Sequence, residues 1–283
     1  MNGKKLRVKI AFASILVAFI LCGCKKATGS LEKVPSRIVC LSPSGAEILY
    51  AVGAGDKIVA RTDFCDYPQE ILGLPSVGGF DGNSISIERI LSYKPDFVYG
   101  AKGMHDFIIE QLSALGIKTY LAESTGIETV LEEIEFMAEL TGNKKKGVDC
   151  VEKIRGELPD ITDSKAKFGV YYEVWYAPYM TAGKKSFINS IIEMAGGKNI
   201  FGQIEDPYPM VSEESIILEN PQVILIPRQN GISLESVCQR NGWKNIDAVK
   251  NGRVYFVDGD LISRPGPRIV KSINEIRELY GKN

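Results

Sequence analysis

Histidine is almost absent from this chain: His105 is the only one in 283 residues. A zinc or manganese centre built from several imidazoles is thereby excluded. A Ser-His-Asp or Cys-His site would have to use His105, which stands in Lys102-Gly-Met-His-Asp106 with no nucleophile motif beside it. A Gly-x-x-x-x-Gly-Lys-Ser/Thr phosphate loop is missing too, and Thr181-Ala-Gly-Lys184 is too short to serve as one. No carboxylate pair stands out as an acid–base couple. Excess charge of one sign is lacking: 34 Lys and Arg face 35 Asp and Glu, for a net charge of −1. With no basic run past the first residues, nucleic acid is not an expected partner.

Long apolar runs are scarce as well. The most prominent, residues 10–21, is shorter than the roughly 20 residues of a membrane span. It follows Lys4, Lys5, Arg7 and Lys9 and leads into Leu21-Cys22-Gly23-Cys24. A single transmembrane helix is one reading. The charged start, the shortness and the small residues at the end favour the other, a secretory signal over 1–23 with a lipobox-like cleavage site. Cys24 is then the lipidated first residue of the mature protein, residues 24–34 are a polar tether, and the lipid is the membrane contact. Export permits disulfides. Cys40, Cys65, Cys150 and Cys238 form no Cys-x-x-Cys, and their scattered spacing is read as four idle thiols.

What is present is a repeat. Ser86-Ile-Glu-Arg-Ile-Leu-Ser-Tyr-Lys-Pro-Asp-Phe-Val98 recurs as Ser212-Glu-Glu-Ser-Ile-Ile-Leu-Glu-Asn-Pro-Gln-Val-Ile224. Ser86 matches Ser212, Glu88 matches Glu214 and Pro95 matches Pro221, all at the same offset. Each copy reads as an N-cap serine, a first-turn glutamate, an apolar helical stripe, a proline stop and a buried strand. A second match, Ile48 to Gly53 with Ile191 to Gly196, keeps the same order. Short apolar strands alternate with helices throughout, which predicts an α/β fold of two Rossmann-like lobes, each with a mainly parallel sheet. The N-terminal lobe is placed at 35–142 and the C-terminal lobe at 161–283. A long charged helix in 143–160 has no counterpart in the repeat and is read as the connector. Ser44 is the expected cap of the first helix, and 261–268 an expected rigid loop.

Aromatic residues gather in loops at the expected strand ends: Phe64, Tyr67, Phe80, Trp175, Tyr176, Tyr179 and Tyr208. Ligands of wound sheets sit beyond the carboxyl ends of the strands, and flat rings there offer large apolar area with few rotors to freeze. Arg264 and Arg268 have two readings of equal weight, contact with an anionic ligand or fixing of the loop around Pro265 and Pro267. Glu88 and Glu214 singly would only complement helix dipoles. At matched positions on two lobes they point to a symmetric partner contact.

In these residues the chain resembles the class III substrate-binding proteins of ABC importers, which carry vitamin B12, iron-siderophores or haem. The likeness covers about residues 35–280. It rests on Arg37-Ile-Val-Cys-Leu-Ser-Pro43, Asp66-Tyr-Pro68, Gly78-Gly-Phe80, Ile87-Glu-Arg-Ile90, Lys94-Pro-Asp96, Thr181-Ala-Gly-Lys184, Pro207-Tyr-Pro209 and Pro267-Arg268 in that order. The resemblance implies two lobes on one rigid helix, little closure on binding, no catalysis and no cofactor of the protein's own. It implies a monomer that hands a corrinoid or similar tetrapyrrole to a dimeric permease. The family's docking glutamates fall on Glu88 and Glu214, and its ligand aromatics on Phe64, Phe80 and Tyr208, with the 175–180 loop also facing the cleft. Several of these positions are tryptophan or tyrosine in the cobalamin-binding members, and a further tryptophan position is Ala101; Trp175 is expected to compensate. Haem or a ferric siderophore is the alternative cargo. A chelatase-like enzyme and a surface sensor or adhesion lipoprotein of the same plan are the other readings.

Overall fold

The computed structural model describes residues 33–79, 81, 83–160, 168–228 and 232–281. Its first half runs β1 (Ile38–Cys40), α1 (Pro43–Ala51), β2 (Ile58–Arg61), α2 (Ile87–Ser92), β3 (Phe97–Ala101), α3 (Asp106–Ala114), β4 (Lys118–Ala122) and α4 (Ile127–Leu140). The four strands form one parallel sheet in the order β2-β1-β3-β4. Helix α5 (Lys144–Glu157) follows.

The second half contains β5 (Gly169–Trp175), β6 (Met180–Thr181), α6 (Phe187–Met194), β7 (Lys198–Asn199), α7 (Glu213–Glu219), β8 (Val223–Pro227), α8 (Leu234–Cys238), α9 (Asp247–Lys250), β9 (Val254–Val257), α10 (Gly259–Ser263) and α11 (Ile269–Tyr280). Its sheet runs β6-β5-β8-β9 with β7 also on β5, parallel except for β6. The expected α/β fold with two wound sheets is the observed one.

Strand periodicity sorts the core into layers. Val39 of β1 and Leu41 just after it face an outer cluster, while Ile38 and Cys40 face an inner one. In β5, Tyr171 points outward and Val170 and Tyr172 point inward. The inner cluster is continuous across both halves, running from Ile38 and Phe97 through α1, α4, α5 and α6 to Val223 and Ile273. Lys33–Asn283 accordingly form one compact unit. In α5 the buried residues Gly147, Val151 and Ile154 keep helical spacing on one face. A Cβ on Gly147 would lie 2.3 Å from that of Ala138, so this glycine sets how closely α5 approaches α4.

The repeat is structural. Ser86 and Ser212 each cap a helix, accepting from Arg89 N and Ser215 N at 3.1 Å. Glu88 and Glu214 are both second residues of their helices. Lys94 (φ 48°) and Asn220 (φ 44°), before the matched prolines, share a left-handed backbone. Gly53 (φ 74°) and Gly196 (φ 89°), just past the ends of α1 and α6, do the same. Two local expectations need correction. The cap of α1 is Ser42, not Ser44, because Pro43 needs no hydrogen-bond partner at the first helical position. The 261–268 stretch begins inside helix α10, which Asp258 caps through Leu261 N.

Glu133 of α4 is buried and accepts hydrogen bonds from the hydroxyls of Tyr99 and Ser124. Burial pushes its carboxyl above the usual carboxylate range, with the two hydroxyls acting against that. The native state therefore holds this proton at pH values where the unfolded chain has released it. Stability from this group is present at acid pH and is lost as pH rises through the folded value. Glu133→Gln keeps an acceptor and removes the titration. Urea midpoints measured across the window above the ordinary carboxylate value should fall with rising pH more steeply in the wild type than in the variant. Equal slopes would contradict the assignment.

Candidate functional site: strand-end aromatics and the arginines behind them

In a parallel sheet the carboxyl ends of the strands share one edge. There the structure brings the predicted residues together in two groups. The first joins the halves. The loop after β2 carries Phe64, Asp66 and Tyr67, and the segment after β9 carries Arg264 and Arg268. Arg264 Nη1 donates to Asp66 Oδ1 at 2.6 Å, its Nη2 to the Phe64 carbonyl at 3.4 Å, and it pairs with Asp260 at 2.9 Å. The Arg268 guanidinium lies 4.3 Å over the Tyr67 ring and donates to both oxygens of Glu47, at 2.6 and 2.7 Å. Arg264 reaches the same carboxylate at 3.7 Å.

Glu47, on the first turns of α1, is therefore the hub. Its side chain is 1% exposed, and both of its cations come from the other half of the chain. Burial pushes its carboxyl up, and Arg268 and then Arg264 pull it back. Arg264 was expected to contact ligand, with loop fixing as the equal reading for both arginines. Its side chain is 11% exposed and engaged by three carboxylates, so its observed contacts tie segments together.

The second group lies on the second half. Thr181 N donates to Pro209 O at 3.1 Å, Gly183 N to Pro207 O at 2.9 Å and Val211 N to Tyr179 O at 3.0 Å, so the Trp175–Met180 loop runs beside the segment that carries Tyr208. Trp175 at the end of β5 is 55% exposed, Tyr176 44% and Tyr208 41%. Burial nevertheless raises the pKa of Tyr208. Tyr176 and Tyr179 are held from behind by Arg240. Its guanidinium sits 4.1 Å over the Tyr176 ring and 4.6 Å over that of Trp243, while it forms a two-pronged bond to the buried Glu173 at 2.5 and 2.9 Å. Tyr179 stacks on Trp243, and both donate to Glu213 Oε1, at 2.8 and 3.0 Å.

Phe80 and Cys24 lie outside the described residues. Phe64 and Tyr67 are half exposed. Glu88 and Glu214 are exposed at the starts of α2 and α7, and Glu214 directly follows Glu213 of the second group. The amide of Glu88 and the Ser86 hydroxyl hold the Glu88 carboxyl below its usual range. A cavity of 680 Å³ opens between α1, α5 and α11. Tyr67 alone of the predicted aromatics lines it, and Glu70, Lys153, Glu157 and Lys271 give it charges of both signs. That lining does not suit a large flat apolar ligand, whereas the exposed rings do.

Sequence reasoning missed Glu47, Glu173, Arg240, Glu213 and Trp243. A signal existed for two of them. Glu47 interrupts the apolar run Ala46-Glu-Ile-Leu49 and Glu173 the strand Val170-Tyr-Tyr-Glu-Val174. A charge in an apolar run must find a partner when buried.

A family model described as periplasmic binding protein matches residues 38–261. An uncharacterized ABC transporter substrate-binding lipoprotein of Bacillus subtilis, YvrC, is 33% identical over 88% of this chain and 81% of its own. The vitamin B12-binding protein of Vibrio parahaemolyticus is 31% identical over 86% of this chain and 89% of its own. A crystal structure from Staphylococcus epidermidis, described as a possible iron-binding (periplasmic solute-binding) protein, is 29% identical. It superposes with a TM-score of 0.74 over 88% of this chain and all of that one.

Removing one partner of a buried ion pair costs about 3–5 kcal/mol, because the other charge stays buried, whereas an exposed pair is worth about 0–1 kcal/mol. Glu47→Ala should therefore lower unfolding stability by about 3–5 kcal/mol. Asp66→Asn, at a side chain 47% exposed, should lower it by under about 1 kcal/mol. Chemical denaturation of both variants checks this; equal losses would remove Glu47 from the centre of the network.

Proposed function

The chain belongs to the periplasmic binding protein family, and from that premise we propose that it captures cobalamin between two lobes and delivers it to the permease of an ABC importer. It is exported, anchored by lipid on Cys24 in the periplasm or at the outer face of the cell membrane, and acts as a monomer. It binds and releases its cargo without chemistry. The lobes are residues 35–142 and 161–283, with the helix in 143–160 as their connector. The observation that carries the reading is the set of half-exposed rings at the strand ends, Phe64, Tyr67, Trp175, Tyr176 and Tyr208. A corrin or porphyrin face is wide and flat, and rings already fixed by their surroundings lose little entropy on covering it. Phe80 joins them in this reading. Tyr179 and Arg264 serve from the second layer, since Glu213 and Asp66 already hold them. Vitamin B12 binding by the Vibrio relative supports cobalamin. The Staphylococcus structure, described as a possible iron-binding protein, supports haem or a ferric siderophore as the second reading.

Titration calorimetry of the full chain with cyanocobalamin, haemin and a ferric siderophore separates these. Cobalamin should bind, and Trp175→Ala and Tyr208→Ala should each weaken it by about 1–3 kcal/mol, the range for losing stacking and apolar contact. Thermal midpoints should move little. Binding of haemin or the siderophore without cobalamin would overturn the cargo assignment.

Glu88 and Glu214 are assigned to permease docking. Both are exposed, so they contribute little to folding. At an interface, truncating one partner of a desolvated charge pair costs about 2–5 kcal/mol. Glu88→Ala and Glu214→Ala should spare cargo affinity and thermal stability but weaken permease binding and uptake, the double variant most. Normal transport by the double variant, or equal loss of cargo binding, would place these residues elsewhere.

A further inference from the structure

Two thiols that the sequence separates meet in the first half. Cys40 ends β1, and Cys65 sits in the loop after β2. Both are 0% exposed, and both belong to the inner core cluster. The parallel register sets Cys40 opposite Arg61, and Thr62 N donates to the Cys40 carbonyl at 3.3 Å, so the loop leaves β2 alongside the end of β1. A tight turn, Cys65 N to Thr62 O at 3.1 Å, then folds Cys65 back. Its sulfur comes to 3.7 Å from the Cys40 carbonyl oxygen and 3.3 Å from Thr62 Oγ1. The Cys40 thiol donates to the Ser42 carbonyl oxygen at 3.2 Å, and the two thiols lie near enough for each to shift the titration of the other. Cys150 and Cys238 lie on α5 and α8, and neither thiol has such a neighbour among the described residues.

We propose that Cys40 and Cys65 are a disulfide pair, formed when the chain folds in an oxidising compartment and closed over by the core afterwards. This rests on the export proposed above only for the compartment, not for the geometry. The oxidant is an external disulfide. The Cys65 thiolate attacks it, forming a mixed disulfide and releasing one thiol. Cys40, deprotonated, then displaces the second. The protein loses two electrons and two protons, one S–S bond forms in it, and one breaks in the oxidant, which leaves as two thiols.

The environment sorts the roles. The Cys40 thiol beside it, the Thr62 hydroxyl and amide, and Arg264 all lower the Cys65 pKa, against burial. Burial and the neighbouring Cys65 raise that of Cys40. Of the two thiols, Cys65 is thus the one whose folded surroundings favour the thiolate. The bond would pin to β1 the loop that carries Phe64, Asp66 and Tyr67, and so fix one wall of the strand-end site against the rigid sheet.

The test is refolding of the full chain from denaturant with oxidised glutathione, followed by alkylation in denaturant and peptide mapping. The expected product links Cys40 to Cys65, with Cys150 and Cys238 free to react or carrying glutathione. Reductant should release the link and lower the thermal midpoint of the wild type, while leaving that of Cys65→Ser unchanged. Recovery of Cys40 and Cys65 as unlinked thiols, or linked to other cysteines, would overturn the proposal. A failure to bind cobalamin bears only on the cargo assignment, because the mapping needs no ligand.

Discussion

A carboxylate at 1% exposure governs the arrangement of this molecule. Glu47 has no water to solvate it, and an unpaired charge in that position would cost several kcal/mol. The guanidiniums that neutralise it, Arg268 and Arg264, come from the far end of the chain. They reach it only when the two sheets stand in one relation to each other. A small change in that relation would strand the charge, so the paired state is steeply preferred. The shared inner core works in the same direction, since Ile38 of the first sheet and Val223 of the second belong to one packed cluster. Two wound sheets joined in this way behave as a frame. In the proposed reading, cargo is met by the rings at its edge and a permease by α2 and α7, which the frame holds at a fixed separation.

The same logic recurs on a smaller scale around Arg240. Glu173 is a charge on a buried strand, and Arg240 answers it with a two-pronged bond. Once there, the guanidinium also serves as a platform for Tyr176, Tyr179 and Trp243. A residue that neutralises a strand thereby gives rigidity to an aromatic loop. Tyr179 extends this order to Glu213, the first residue of α7 and neighbour of Glu214. The loop assigned to cargo and the helix assigned to docking are thus joined by one hydrogen bond. That contact is local, and it ties Tyr179 of the loop to the first residue of α7.

Much of this was legible in the sequence, for physical reasons that act locally. A serine three residues ahead of an amide it can cap, a glycine where the backbone turns left-handed and a proline stop are short-range signals. They placed α2, α7 and the ends of α1 and α6 within a residue or two. The repeat added the long-range statement that two such units exist. Ser42 was misjudged because Pro43 tolerates the first helical position as well as it breaks a helix. The network around Glu47 was not legible, since its partners lie more than 200 residues away. Glu47 and Glu173 stand in apolar runs, a signal that went unread and that would not have said what answers them. Arg264 and Arg268 were seen, with loop fixing held equal to ligand contact; the missing fact was the carboxylate between them.

The claim that most needs a direct measurement is that Glu47 and its two arginines hold the halves in one arrangement. Spin labels introduced through a bioorthogonal residue at Ser92 and Leu218, on α2 and α7, would report the distance between these two helices. The account predicts a single narrow distance distribution in the wild type, unchanged by cargo, that broadens in Glu47→Ala. A broad or two-peaked distribution in the wild type, or one that Glu47→Ala leaves as narrow as before, would contradict it.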